Sequence, residues 1–176
     1  MKRISEVNAL RQLQDLKNEY AAEIRERYEH KAKSCDTCEA RGQCCLDAHF
    51  VNVHVTRLEA AAVNRVLSTL PNATEVYARI EGAIAKYGLA AEGDSFAKTY
   101  ACPLFESAAG CLVHLEGKPL PCITHACYEK KEDLPPDDLQ QQREREVELL
   151  NRQVYRRSST WTPLPVAIMR SSRLID

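Results

Sequence analysis

The chain of 176 residues contains eight cysteines, and their spacing is the feature of the sequence best suited to chemistry. They form two groups along the chain: Cys35, Cys38, Cys44 and Cys45, then Cys102, Cys111, Cys122 and Cys127. A Cys-x-x-Cys pair such as Cys35 and Cys38 lets two thiolates reach one metal ion at about 2.3 Å. Thiolates suit both zinc and iron. We therefore expect all eight cysteines to be metal ligands, with zinc or iron, including a 4Fe-4S cluster, as the metal.

The adjacent pair Cys44 and Cys45 bears on the number of metal atoms. Because neighbouring side chains diverge, we expect the pair to serve two metals, two irons of one cluster, or one ligand position and one packing position. Gly42 gives this loop the conformational freedom to turn its thiolates inward. His125 is a further candidate ligand, with a role outside the coordination sphere as the alternative. Three other histidines are candidates of the same kind: His49, His54 and His114.

Two alternatives to metal binding are a redox or catalytic dithiol, and structural disulfides or buried free thiols. The amino terminus is charged and amphipathic, without the apolar segment of a signal peptide, and no run of about eighteen apolar residues occurs. We therefore expect a cytoplasmic protein, in which thiols stay reduced and clustered cysteines indicate a metal. A thioredoxin-like strand, Cys-x-x-Cys and helix is also absent from the sequence pattern.

The overall charge excludes some classes of partner. The chain has 24 basic and 25 acidic residues, and aromatic residues make up 6%. Nucleic-acid binding depends on phosphate neutralisation and base stacking, so we expect no nucleic-acid partner and no membrane partner. A monomer or weak homodimer, with a protein partner bound through the helices, is consistent with this composition. No phosphate loop, HExxH or Gly-x-Ser-x-Gly motif occurs, so enzymatic activity stays uncertain and no catalytic residue is assigned.

Helices must position the cysteines. Apolar residues recur at spacings of three and four from Ile4 to Tyr28, which predicts a helix over residues 2–33. Thr56 and Glu59 form a capping-box pattern that predicts a helix over 57–69. A second helix is predicted from about 72 to 87, followed by Gly88 as its C-cap.

The carboxyl-terminal part is predicted to contain one long helix and an extended tail. Prolines and acidic residues at 135–138 predict a helix start, and the helix should run to about Arg157. Its segment 143–148 is predicted to be a solvated face, and 166–169 to form a strand. The inner face of the helix should contain Leu139, Val147, Leu150 and Val154.

The intervening segments are predicted to be mostly irregular. Residues 34–49 should form a loop, 50–55 a short strand, 89–121 turns and extended pieces, and 122–130 a helical turn. We expect a mainly α fold with irregular metal-organised loops and one or two short strands, with a small α+β fold as the alternative. The expected organisation is an amino-terminal helix over 1–33, a cysteine-cluster domain over 34–130, and a helix and extended tail over 131–176 packed on that domain.

The ordered combination of motifs resembles the YkgJ-type cysteine-cluster family, which is described as having a zinc- or iron-chelating CxxCxxCC domain. The resemblance covers roughly residues 35–127. Its later motifs are Cys102-Pro-Leu-Phe, Cys111-Leu-Val-His and Lys118-Pro-Leu-Pro-Cys122. The chain differs from the family pattern in its five-residue second gap, in Lys118 where an arginine is usual, and in Ile123 where an arginine often occurs.

The resemblance implies a metal held by about eight cysteines and assigns no reaction. The expected function is therefore a cysteine-cluster metal-binding protein with a metal or redox role. The alternatives are a structural zinc module that acts through protein–protein interaction and an iron–sulfur enzyme or accessory subunit.

Overall fold

The computed structural model describes residues 3–34, 38–48, 51–92, 95–107, 109–156 and 160–172. Within these ranges the fold is mainly α, as predicted, with two small antiparallel sheets. The seven α-helices are α1 Glu6–Arg27, α2 Gln43–Leu46, α3 Arg57–Leu67, α4 Ala73–Tyr87, α5 Leu120–Thr124, α6 Asp137–Tyr155 and α7 Leu164–Ser172. The four strands are β1 His54–Val55, β2 Phe105–Glu106, β3 Gly110–Cys111 and β4 Thr162–Pro163.

Helix α1 is shorter than the predicted 2–33. It begins after Ser5, whose side chain accepts a hydrogen bond from the Asn8 amide, and it ends where Tyr28 leaves helical geometry with φ −131°. A 3-10 turn over Glu29–Lys31 follows. The buried apolar side of α1 packs with α5 and α6 around a core that contains Ala9, Leu13, Tyr20, Ile24, Leu58, Leu120, Val147 and Leu150.

Helix α3 connects this core to a second one. Both hydrogen bonds of the predicted capping box between Thr56 and Glu59 are present. Leu58 of α3 packs with α1, while Val63 and Leu67 pack in the second core with α4 and α7. Helix α4 ends as predicted at Gly88, which adopts the left-handed conformation with φ 58°.

Helix α6 confirms its predicted inner face, because Val147 and Leu150 are buried while Leu139 and Val154 pack against them. The prediction that residues 143–148 form a solvated face is wrong for Arg143, the first of them. The Arg143 side chain is only 18% exposed, and it pairs with Glu23 of α1 at 3.2 Å and with Glu146 at 3.1 Å. Arg143 therefore links two helices.

The predicted strand over 166–169 is wrong, since these residues lie inside helix α7. Nearly all of its residues from Leu164 to Ile168 are buried, so the segment shows no amphipathic period that would mark it as a helix. Pro165 lies in the first turn, where proline is tolerated. The extended part of the tail is β4, which pairs with β1 in the register His54↔Pro163.

None of the helices in the described ranges is both long enough and apolar enough to cross a membrane.

Candidate metal centre

The first cysteine segment takes its shape from Gly42. This residue has φ +82° and is the N-cap that directly precedes α2, which carries Cys44 and Cys45. A Cβ atom at Gly42 would lie 2.0 Å from Cζ of Phe105. Only glycine therefore allows the Phe105 ring to rest on the backbone at this turn, and this contact joins the first cysteine segment to the second.

The second cysteine segment is the β2–β3 hairpin and the turn before it. Phe105 pairs with Cys111 across the two strands. The backbone N–H of Cys102 donates to the carbonyl of Cys45 at 2.7 Å. Cysteines that are 57 residues apart in the sequence (102 − 45) are therefore in direct main-chain contact.

Nearby backbone groups oppose the effect of burial on two of the thiols. Those of Leu104 and Phe105 act to lower the pKa of Cys102, and that of Val113 acts to lower the pKa of Cys111. Burial has the larger effect, so the pKa of both thiols stays raised.

Cys122 lies on α5, which a buried ion pair holds in place. The N–H of Leu120, the first residue of α5, donates to Oε1 of Glu59 at 3.1 Å. The same oxygen lies 3.0 Å from Nζ of Lys17, and neither side chain is more than 4% exposed. Glu59 therefore connects α1, α3 and the start of α5.

Four thiols share a raised pKa, and we call Cys45, Cys102, Cys111 and Cys122 the interior cysteines. Burial raises the pKa of Cys45 to about 12 and the pKa of Cys102 to about 11, and it also raises the pKa of Cys111 and Cys122. The pKa of Cys122 is raised further by the other three thiols.

Cys44 also acts on this group, because it raises the pKa of the adjacent Cys45 further. The divergence expected for the two neighbouring side chains stays a prediction.

The described cysteines are all free thiols, and Cys35 lies outside the described residues. In the described part of the chain, no group of three or more histidine, cysteine, aspartate or glutamate side chains is arranged to hold a metal ion. The interior cysteines nevertheless carry the thiol donors that a thiophilic metal requires. Binding would require the four sulfurs to move closer together.

Cys38 and Cys127 both act on the pKa of Lys33, and we call them the outer cysteines. The backbone N–H of Lys33 donates to the Cys127 carbonyl at 3.0 Å, and the Lys33 ammonium lies 2.5 Å from Glu129. The hydrogen bond that this ammonium donates to Glu129 raises the pKa of Lys33, with smaller contributions from the Cys127 and Cys38 thiols. The Lys33 and Glu129 side chains are 68% and 63% exposed, so the outer cysteines lie beside a solvated ion pair.

Two candidate histidines follow interior cysteines in the sequence: His114 comes three residues after Cys111, and His125 three residues after Cys122. Partial burial lowers the pKa of His125 and of His114, and the Lys118 ammonium lowers both further. A lowered pKa favours the neutral imidazole, which is the form that ligates metals. Neither ring joins a group of three metal donors among the described residues.

The remaining histidines have other surroundings. His54 is buried in β1 and stacks on the Phe96 ring with centroids 4.0 Å apart. His30 is exposed in the 3-10 turn after α1, as expected for a residue at a helix end. His49 lies outside the described residues.

Sequence reasoning missed several residues that shape this region. Lys17 lies on the inner face of α1, four residues after Leu13 and three before Tyr20. A charged residue on an otherwise apolar face was the signal that could have indicated a buried ion pair. Glu59 was assigned only a capping role. No sequence signal marked Arg79, whose guanidinium contacts the segment after Cys102.

Comparison with protein-family models, curated proteins and solved structures finds no match for this chain. The resemblance to the YkgJ-type family therefore stays a hypothesis that depends on the cysteine motifs.

Proposed function

We propose that this protein binds zinc or iron through the thiolates of the interior cysteines. The observation that carries this proposal is the main-chain contact between the two cysteine segments, in which the Cys102 N–H donates to the Cys45 carbonyl at 2.7 Å. Four thiolates form a closed tetrahedral site for either metal. The family resemblance supports the same chemistry, and Cys44 is adjacent to Cys45 in the sequence.

Burial favours the protonated thiols when no metal is bound, because it raises the pKa of Cys102 and Cys111. Metal binding must therefore displace thiol protons, and it would tie α2, the hairpin and α5 together. When bound, zinc supplies a crosslink without redox chemistry, whereas iron also supplies a redox couple.

The identity of the metal separates the functional alternatives. With iron or an iron–sulfur cluster, the protein would act in electron transfer, sensing or metal delivery. With zinc, it would be a structural module whose helices bind a protein partner. An enzymatic role ranks below both, because the sequence contains no substrate-binding motif.

The test is elemental analysis of protein purified without oxygen, combined with cobalt substitution of the chelator-treated protein. We expect about one equivalent of zinc or iron, or several irons with broad absorption near 400 nm if a cluster is bound. Cobalt should give intense thiolate-to-metal charge-transfer bands. Cys111→Ser should lose most of the metal.

The matched control is Cys127→Ser, which removes one outer cysteine. It should retain the metal content of the unaltered protein. Equal losses in Cys111→Ser and Cys127→Ser would contradict the restriction to the interior cysteines. A protein without bound metal and without cobalt charge-transfer bands would contradict the proposed function itself.

A further inference from the structure

The turn that precedes α5 exposes a leucine. Leu115 is 86% exposed, more than any other large apolar side chain in the described part of the chain. Gly117, two residues later, has φ +79° and is buried against α3, where an added Cβ would lie 3.3 Å from the Ala62 carbonyl oxygen and 3.3 Å from Cα of Val63. The turn is therefore held close to α3, while the Leu115 side chain lies in solvent.

An open groove of about 400 Å³ lies beside this turn, between α1 and α3. Glu116 and Gly117 of the turn line it, together with apolar residues of the two helices: Val7, Leu10, Ala62 and Val66. Val7 is 70% exposed. A single exposed apolar residue is ordinary on a protein surface, but here the exposed leucine adjoins an apolar groove.

The groove and the turn also differ in charge. The two helices contribute two arginines and one acid to the lining, Arg11, Arg65 and Asp15, which leaves one excess positive charge. Glu116 places a negative charge directly beside Leu115. None of these four side chains forms an ion pair with another described residue. A leucine followed by an acid therefore matches an apolar groove with an excess of arginine.

We propose that two copies of this chain form a homodimer in which Leu115 of each copy inserts into the groove of the other. A twofold dimer requires the inserted residue and its groove on one face, because each copy contributes both. The turn and the groove meet this requirement, since Glu116 belongs to both. A net charge of −1 also leaves little repulsion between two copies. Formation of this dimer does not require bound metal.

The experiment is sedimentation velocity of the full-length protein from about 1 μM to about 1 mM, a range in which a weak dimer dissociates measurably. We expect a reversible monomer–dimer equilibrium. Leu115→Asp should raise the dimer Kd at least about tenfold, because it removes apolar contact and would bury an unpaired charge. Val7→Asp should do the same from the groove side. Both positions are exposed, and circular dichroism should show an unchanged fold.

A mixture of the two aspartate variants tests the insertion itself. Leu115→Asp keeps its groove and Val7→Asp keeps its leucine, so the mixed dimer retains one of the two contacts. The mixture should therefore associate more tightly than either variant alone. Glu116→Gln should weaken the dimer by only about threefold, since an exposed ion pair contributes little, and added salt should remove this difference.

The matched control is Leu149→Asp, which alters a 47% exposed leucine of α6 that does not line the groove and should leave the Kd unchanged. A protein that stays monomeric up to about 1 mM would overturn the inference. So would a dimer that neither Leu115→Asp nor Val7→Asp weakens, or one that Leu149→Asp weakens equally. A mixture no tighter than its components would show that Leu115 does not enter the groove.

Discussion

The interior and outer cysteines differ in what holds them. The interior cysteines lie among packed segments, with Glu59 paired to Lys17 behind α5 and the Phe105 ring resting on Gly42. The outer cysteines lie beside the exposed pair of Lys33 and Glu129. We therefore expect substitutions behind the interior cysteines to have larger effects than substitutions beside the outer cysteines.

The largest expected effect comes from breaking the buried ion pair behind the interior cysteines. Lys17→Met leaves the Glu59 carboxylate buried without its cation, which should lower the free energy of unfolding by about 3–5 kcal/mol. Urea denaturation measures this change. Metal content should also fall, because Glu59 holds the first residue of α5.

The matched control is Lys33→Met, which removes the cation of the exposed pair beside the outer cysteines. Solvent screens that pair, so the free energy of unfolding should hardly change. If both variants lost the same stability, the contrast between a packed interior site and a solvated outer site would be wrong.

The next effect concerns thiol reactivity in metal-free protein. Burial raises the pKa of Cys102 to about 11 from an ordinary 9.0, so at pH 8 its thiolate fraction, and hence its alkylation rate, should be about a hundredfold below that in the denatured chain. The rate should rise about tenfold per pH unit towards pH 11, because each unit increases the thiolate fraction tenfold. Mass spectrometry of peptides after timed iodoacetamide treatment measures each cysteine.

Cys38 and Cys127 are the internal comparison in the same sample. They should react within about tenfold of their rates in denaturant, since solvent reaches their surroundings. Slow alkylation of all the described cysteines alike would remove the distinction between the two groups.

A smaller effect is expected from Gly42→Ala. The added Cβ would overlap the Phe105 ring, and the alanine would have to adopt φ +82°. We therefore expect a loss of about 1–3 kcal/mol in folding free energy together with weaker metal binding. Thermal unfolding and cobalt titration measure the two changes.

Gly82→Ala is the control substitution, because a Cβ at this position in α4 meets no atom within 4 Å. Alanine should stabilise the helix there by about 0.5–1 kcal/mol. A Gly42→Ala variant as stable as Gly82→Ala would show that the contact with Phe105 does not hold the two cysteine segments together.

Local signals predicted much of the fold. Thr56 and Glu59 marked the start of α3, Gly88 marked the end of α4, and the spacing of Val147 and Leu150 marked the inner face of α6. Each of these features depends on residues within a turn or two of one another. Helix α7 was missed because its residues are buried on nearly every side and carry no period.

Residue types and spacing predict the cysteines as the chemistry of the site, in two groups along the chain, and that assignment stays a prediction. The contacts that position α5 could not be predicted in this way. The ion pair of Lys17 with Glu59 and the hydrogen bond of Leu120 to Glu59 link distant parts of the sequence, and no local pattern encodes such contacts.

The main-chain hydrogen bond between Cys102 and Cys45 has a consequence for biosynthesis. At about 5–20 residues per second, the ribosome adds Cys102 roughly 3–11 s after Cys45. During that interval the segment of Cys44 and Cys45 has neither the hairpin nor α5 to pack against. The proposed site would therefore be complete only after translation passes Cys122.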